Sequence, residues 1–174
     1  MNNKSINEYL SIFKQYQNLG KKSLERLSEK ELNYHPDKDS NSVALIVKHL
    51  HGNMLSRWTN FLEEDGEKTW RHRDQEFESS VLSISEVNEL WETGWNLLFE
   101  TLSNLNDSHL KEIVYIRSEP HTVEQAILRQ IAHYSYHVGQ IVYLAKWLSG
   151  TNWESLSIPK GASEAFNINK QQKK

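Results

Sequence analysis

Apolar residues recur at three- and four-residue steps in four long stretches of this chain, the spacing that lays a single stripe along a helix. The first stretch runs from about Ser5 to Leu27, with Ile6, Leu10, Phe13, Tyr16, Gly20, Leu24 and Leu27 in phase. The second starts near Ser42, carries Val43, Ile46, Val47, Leu50, Met54 and Phe61, and is expected to stop near Asp65-Gly66. Ser83 with Glu86 three residues on makes a capping box for the third, whose stripe is Val87, Leu90, Trp91, Leu97, Leu98, Leu102 and Leu105. Thr122 with Gln125 repeats that signal before the fourth, and Gly150 sits where a glycine stop belongs. Between them Ile127, Ile131, Tyr134, Val138, Ile141, Val142, Ala145 and Leu148 share one face.

The connections differ from the helices in kind. Glu31 to Ser42 reads as a loop, because Pro36 disfavours helix at His35 and the Asp, Asn and Ser residues favour turns. Ile113-Val114-Tyr115-Ile116 is a β-rich fragment, a short strand or an extended loop. Four helices that each bury one stripe predict an all-α four-helix bundle, with connections long enough to cross over. Residues 1–166 read as one such domain, with a short extension from Thr151 that contains Trp153, Ile158, Pro159 and Phe166 and whose first part is expected to pack on the bundle. Residues 167–174 read as a polar, disordered tail.

Composition narrows the chemistry. A chain of 174 residues fits one domain, and no repeat of about 20 to 50 residues points to a solenoid. Twenty basic against 23 acidic residues give a net charge of -3, so no global basic field is present to hold nucleic acid. No stretch reaches the roughly 18 apolar residues of a membrane span, and the N-terminus lacks the apolar core of a signal peptide. The expectation is a cytoplasmic protein without nucleic-acid or membrane partners. The chain has no cysteine, which excludes a thiolate nucleophile, disulfides, zinc fingers and iron–sulfur clusters. Trp58, Trp91, Trp95 and Trp147 read as core or dimer-interface residues.

Eight histidines remain as the candidate chemistry. His133 and His137 are four apart on the fourth helix, so their rings can converge on one ion; the same spacing also suits two surface histidines bonded to water. At about 100° per residue both flank the core stripe of that helix, together with Gln130 and Gln140. The second helix carries a matching polar seam, His49 with Asn53, Ser56 and Asn60, whereas His51 lies about 200° round from His49 and belongs elsewhere. Facing seams would gather His49, His133 and His137 into a three-nitrogen site with coordination positions left for water or substrate. Zinc, nickel and ferrous iron all suit imidazole, and manganese stays open. Asn53, Gln130 and Gln140 are candidates to hydrogen-bond the imidazoles. The helical di-iron pattern, His-Glu-x-x-His, Gly-x-Ser-x-Gly and the nucleotide-binding glycine loops are all absent.

The run Val47-Lys48-His49-Leu50, with Gln130-Ile131-Ala132-His133-Tyr134-Ser135-Tyr136-His137-Val138-Gly139-Gln140, resembles the DinB-like superfamily of bacterial four-helix-bundle proteins over roughly Ser5 to Gly150. His49 to Met54, Asp65 to Asp74 and Ser157 to Gly161 are similar to a branch known only as a domain of unknown function. The resemblance implies a divalent metal, zinc or nickel foremost, held by one histidine of the second helix and two of the fourth, a match that falls on His49, His133 and His137. It further implies a homodimer and a small-molecule substrate, with thiol S-transfer using bacillithiol or a similar low-molecular-weight thiol, or hydrolysis, as the reaction. A non-enzymatic bundle with a structural or vestigial metal is the alternative. On the transferase reading Arg71 and Arg73 would bind a carboxylate of the thiol cosubstrate; otherwise they pair with Asp74, Glu76 or Glu78.

Overall fold

The computed structural model describes residues 3–78 and 80–172, and the four expected helices dominate it. Helix α1 is Lys4–Leu24, and its first turn is capped from a distance: the Asp107 carboxylate accepts the backbone N–H of Ser5 (3.2 Å) and Ile6 (3.1 Å). The chain breaks after Leu24 and restarts as a single turn, α2 (Glu29–Leu32), opened by a Ser28/Glu31 capping box inside a region expected to be loop from Glu31 onward. Helix α3 is Val43–Trp58, started by the Ser42 hydroxyl accepting from the Leu45 amide, and α4 is Ile84–Ser103. Helix α5 (Val123–Ser149) begins at its Thr122/Gln125 box.

One departure from the sequence expectation, and one alternative that the sequence left open, shape the site. Helix α3 stops at Trp58 rather than near Asp65, and Asn60 takes a positive φ of 48°. The Gly66 carbonyl then accepts hydrogen bonds from the Ser56 hydroxyl and the Arg57 guanidinium, folding the chain back along α3. The β-rich fragment is a strand, β1 (Ile113–Ile116), paired antiparallel with β2 (Glu119–Thr122). Arg117 and Ser118 at the turn have φ of 57° and 63°, the pair of positive values a two-residue hairpin needs. Neither is glycine or asparagine; the Asp65 carboxylate holds the turn by accepting both of their backbone N–H groups, at 2.9 and 2.7 Å.

Around the bundle α1 packs chiefly on α5 and α4, while α3 packs on α4 and α5. The connections α1 to α3 and α4 to α5 therefore cross the diagonals, and each carries small elements of its own. At the centre one aromatic ring comes from each helix: Phe13, Trp58, Trp95 and Tyr134, all at most 1% exposed. Phe13 lies 5.9 to 6.3 Å from the other three rings. Trp91 is buried with them, whereas Trp147 is half exposed and meets Tyr34 at 5.5 Å. The extension turns into a final helix, α6 (Ser163–Gln171), which covers part of the expected disordered tail and buries none of its residues; residues 173–174 lie outside the described residues.

Gly20 shows why a helix-weakening residue sits in α1. A Cβ there would lie 2.3 and 2.5 Å from two atoms of the Trp91 indole on α4. Gly20→Ala is expected to destabilise the protein by about 1–3 kcal/mol through overpacking, despite alanine's better helix propensity. Urea denaturation of the two proteins measures it, and an unchanged midpoint would show that the indole yields freely.

Candidate metal centre and its cleft

Where α3 meets α5, the two polar seams face each other. One nitrogen from each of His49, His133 and His137 lies within 4.8 Å of the other two. The Nε2 atoms of His49 and His133 are 3.4 Å apart, the separation expected of two imidazoles each about 2.0–2.1 Å from one tetrahedral ion.

Hydrogen bonds at the far side of two rings decide which nitrogen is bare. The Nδ1–H of His49 donates to Glu76 Oε2 at 2.8 Å, and that of His137 donates to Gln140 Oε1 at 2.8 Å. Both rings thereby present an unprotonated Nε2 to the cluster. The His137 Nε2 is buried and has no partner, which would be costly unless something else meets it. His133 has no such partner on its Nδ1. Burial, then the neighbouring His137 and His49 and the Arg57 and Arg71 charges, push His133 down to about 3. Burial foremost, against the Gln140 hydrogen bond, brings His137 down to about 4. At neutral pH these two rings are therefore neutral donors, and the orphaned buried nitrogen with its two neighbours fits a borderline divalent cation.

Glu76 is the residue of the candidate site that the sequence reading did not single out. It lies on the 3-10 turn Arg73–Phe77, is 7% exposed, and is gripped on its other side by Arg71, with Nε to Oε1 at 2.7 Å and an Nη to Oε2 at 3.0 Å. Burial raises its carboxyl, but the hydrogen bonds from His49 and Arg71 outweigh that and hold it below the usual carboxylate range. An Arg71–Glu76–His49 chain thus fixes ring orientation and makes the imidazole a stronger donor. Gly52, one turn along α3 from His49, leaves room for it: a Cβ there would lie 2.3 Å from Glu76 Oε1. The only sequence hint was the possible pairing of Arg71 with Glu76, which is the pairing found.

The remaining candidates separate. Gln140 meets His137, whereas Asn53 meets no imidazole: its Oδ1 accepts from the Tyr134 hydroxyl at 3.1 Å, which in turn accepts from Trp58 Nε1 at 3.0 Å. Gln130 is buried beside the cluster with its Oε1 unpartnered. Arg73 is half exposed, 3.9 Å from Asp74 and stacked 5.1 Å over Phe77. His51 turns away and donates to the Leu90 carbonyl of α4 at 2.9 Å. Above the three histidines opens a cleft of about 620 Å³, walled by Asn53, Gln130, Tyr136 and Phe77 and by Arg57, Arg71, Arg73, Arg117 and Arg129.

Comparison with solved structures places the fold. A DinB-like protein from Bacillus subtilis, YjoA, aligns over 85% of this chain and 96% of its own at 17% identity, with a TM-score of 0.65. A conserved protein from Enterococcus faecalis covers 80% of this chain and 94% of its own at 15% identity, TM-score 0.61. YfiT from Bacillus subtilis, described as a probable metal-dependent hydrolase with an unusual four-helix bundle topology, covers 87% and 91% at 18% identity, TM-score 0.59. At these identities the likeness establishes the DinB-like four-helix bundle and nothing finer. No curated protein matches the chain. Among the described residues no helix is long and apolar enough to cross a membrane. A family model matches residues 1–162, and the chain belongs to that family, described as a protein of unknown function (DUF1572).

Proposed function

We propose that this protein is a metal-dependent hydrolase of a small molecule, with His49, His133 and His137 holding the ion. The observation that carries the reading is the convergence of three imidazoles at the floor of an open cleft, one of them with a buried, unpartnered Nε2. A divalent ion there supplies Lewis acidity to an entering water, thiol or carbonyl oxygen. The chain's own residues do the rest. Glu76 and Gln140 hold the protons on the outer nitrogens of His49 and His137, and Arg71 keeps Glu76 ionised and in place. Gln130 offers an amide oxygen from the cleft wall, and Phe77, packed 4.8 Å from the His49 ring, covers that imidazole. YfiT, the structural neighbour described as a probable metal-dependent hydrolase, supports hydrolysis as the reaction.

Zinc and nickel are the expected ions, since three neutral nitrogens and no thiolate suit both. The test begins with elemental analysis of tag-free protein. Chelated protein is then assayed on esters and amides, and on bacillithiol, glutathione or coenzyme A with electrophilic acceptors, before and after each metal is returned. Metal-restored hydrolysis is the expected result. Metal-dependent turnover only with a thiol would make the protein an S-transferase instead. Stoichiometric metal with no turnover would make the site structural, and the absence of metal would overturn the reading altogether.

A further inference from the structure

The distribution of cationic side chains over the molecule is uneven in a way that the metal site does not explain. The chain has 20 basic residues, six arginines among them and the rest lysines. Arg57, Arg71, Arg73, Arg117 and Arg129 all line the cleft above the histidines; among the described residues no lysine, aspartate or glutamate lines it. A chain of net charge -3 has thus concentrated its guanidiniums at one mouth. Arginine differs from lysine in presenting a planar fork of donors matched to carboxylate and phosphate oxygens.

Three of the five are already committed. Arg71 grips Glu76, while Arg57 and Arg117 share the Glu67 carboxylate at 3.1 and 3.0 Å. Arg57 also donates to the Gly66 carbonyl, and Asp65 is occupied by backbone amides of the hairpin turn. The other two are not committed. Arg73 stacks over Phe77, which leaves its N–H groups open, and its nearest carboxylate is Asp74, 3.9 Å away and fully exposed. Arg129 has no hydrogen bond, ion pair or ring contact among the described residues, yet it stands on α5 one turn before His133 and lines the cleft. The free guanidiniums therefore come from two different elements, the 3-10 turn and α5, that wall the same space.

We propose that the cleft takes a small molecule bearing a doubly charged oxyanion, a phosphate monoester or a dicarboxylate, whose anionic end is held by Arg73 and Arg129 while its other end reaches the histidines. The proposal rests on the preceding reading for what lies at the floor of the cleft and adds the class of ligand. Arg57, Arg71 and Arg117 are neutralised by Glu67, Glu76 and the nearby Asp65, so Arg73 and Arg129 supply both the direct contacts and the local positive charge.

Calorimetric titration of the full chain with inorganic phosphate and with succinate, in chelated and metal-loaded forms, tests it. At least one dianion is expected to bind both forms, more weakly as salt rises. Arg73→Gln and Arg129→Gln should each weaken binding by about tenfold or more, the loss of a charge-assisted contact, while Lys146→Gln on the exposed part of α5 changes nothing. Circular dichroism and melting curves confirm that each variant folds. The preferred anion assigns phosphate or carboxylate chemistry. Failure of both anions with both forms overturns the proposal, as does binding that needs the metal and ignores both arginine substitutions. Because the chelated form is titrated by itself, failure to bind metal would sink the hydrolase reading while leaving this result standing.

Discussion

His137→Ala is expected to weaken metal binding by more than about 100-fold while leaving the metal-free protein folded. Loss of an outer hydrogen-bond partner to a ligating histidine costs about 10–100-fold, and loss of the ligand itself must exceed that. The structure makes His137 the most informative of the three. Its Nε2 is buried without a partner, so the cluster already carries the desolvation of that atom, which a bound ion would offset. Its one hydrogen bond runs to Gln140, an exposed residue three positions on, so little of the fold depends on the ring. Competition with a chromogenic chelator on tag-free protein gives the affinity, and thermal unfolding of chelated samples gives the stability. The control is His51→Ala, a histidine two positions from His49 that is committed to the Leu90 carbonyl, and it should bind metal like the parent. Equal losses for His51→Ala and His137→Ala would mean that the trio is not the site.

How much of this arrangement could be seen in the sequence follows from the range of the interactions involved. A helix repeats every few residues, so the flanking position of His133, His137 and Gln140 beside the α5 core stripe, and that of His49 on α3, are local properties. The inward direction of Tyr134 is local in the same sense, and its 0% exposure agrees. The capping boxes at Ser83 and Thr122 mark the starts of α4 and α5 for the same reason. Elsewhere, contacts between distant residues override the local signal. Helix α3 ends early because Ser56 and Arg57 capture the carbonyl of Gly66. The hairpin turn at Arg117-Ser118 carries no turn residue because Asp65, more than 50 positions earlier, satisfies its amides. Glu76 belongs to this second group: it lies in a stretch without periodicity, and its two partners, Arg71 and His49, sit 5 and 27 residues away. The clustering of five arginines at one cleft is likewise invisible along the chain, since they come from α3, the following loop, the hairpin turn and α5.

Gly52→Ala is the second large effect expected, and it isolates the contribution of Glu76 without touching a charged residue. Gly52 lies inside α3 and is not among the positive-φ residues, so propensity alone predicts that alanine would stabilise the helix by about 0.5–1 kcal/mol. Packing predicts the reverse. The new Cβ would come within 2.3 Å of Glu76 Oε1 and 2.8 Å of its Cδ, and that carboxylate cannot swing aside without releasing both Arg71 and His49. Once Glu76 is displaced, the His49 ring loses the acceptor that fixes its tautomer, and metal affinity should fall by about 10–100-fold. Glu76→Gln should produce a loss of the same order, because the amide keeps the size of the side chain but not the charge. Gly139→Ala supplies the contrast: that glycine is also helical, two residues from His137, and a Cβ there meets nothing within 4 Å. It should raise stability by about 0.5–1 kcal/mol and leave the affinity alone. If Gly52→Ala instead behaves like Gly139→Ala, the carboxylate has moved at no cost and the Arg71–Glu76–His49 chain does not orient the imidazole.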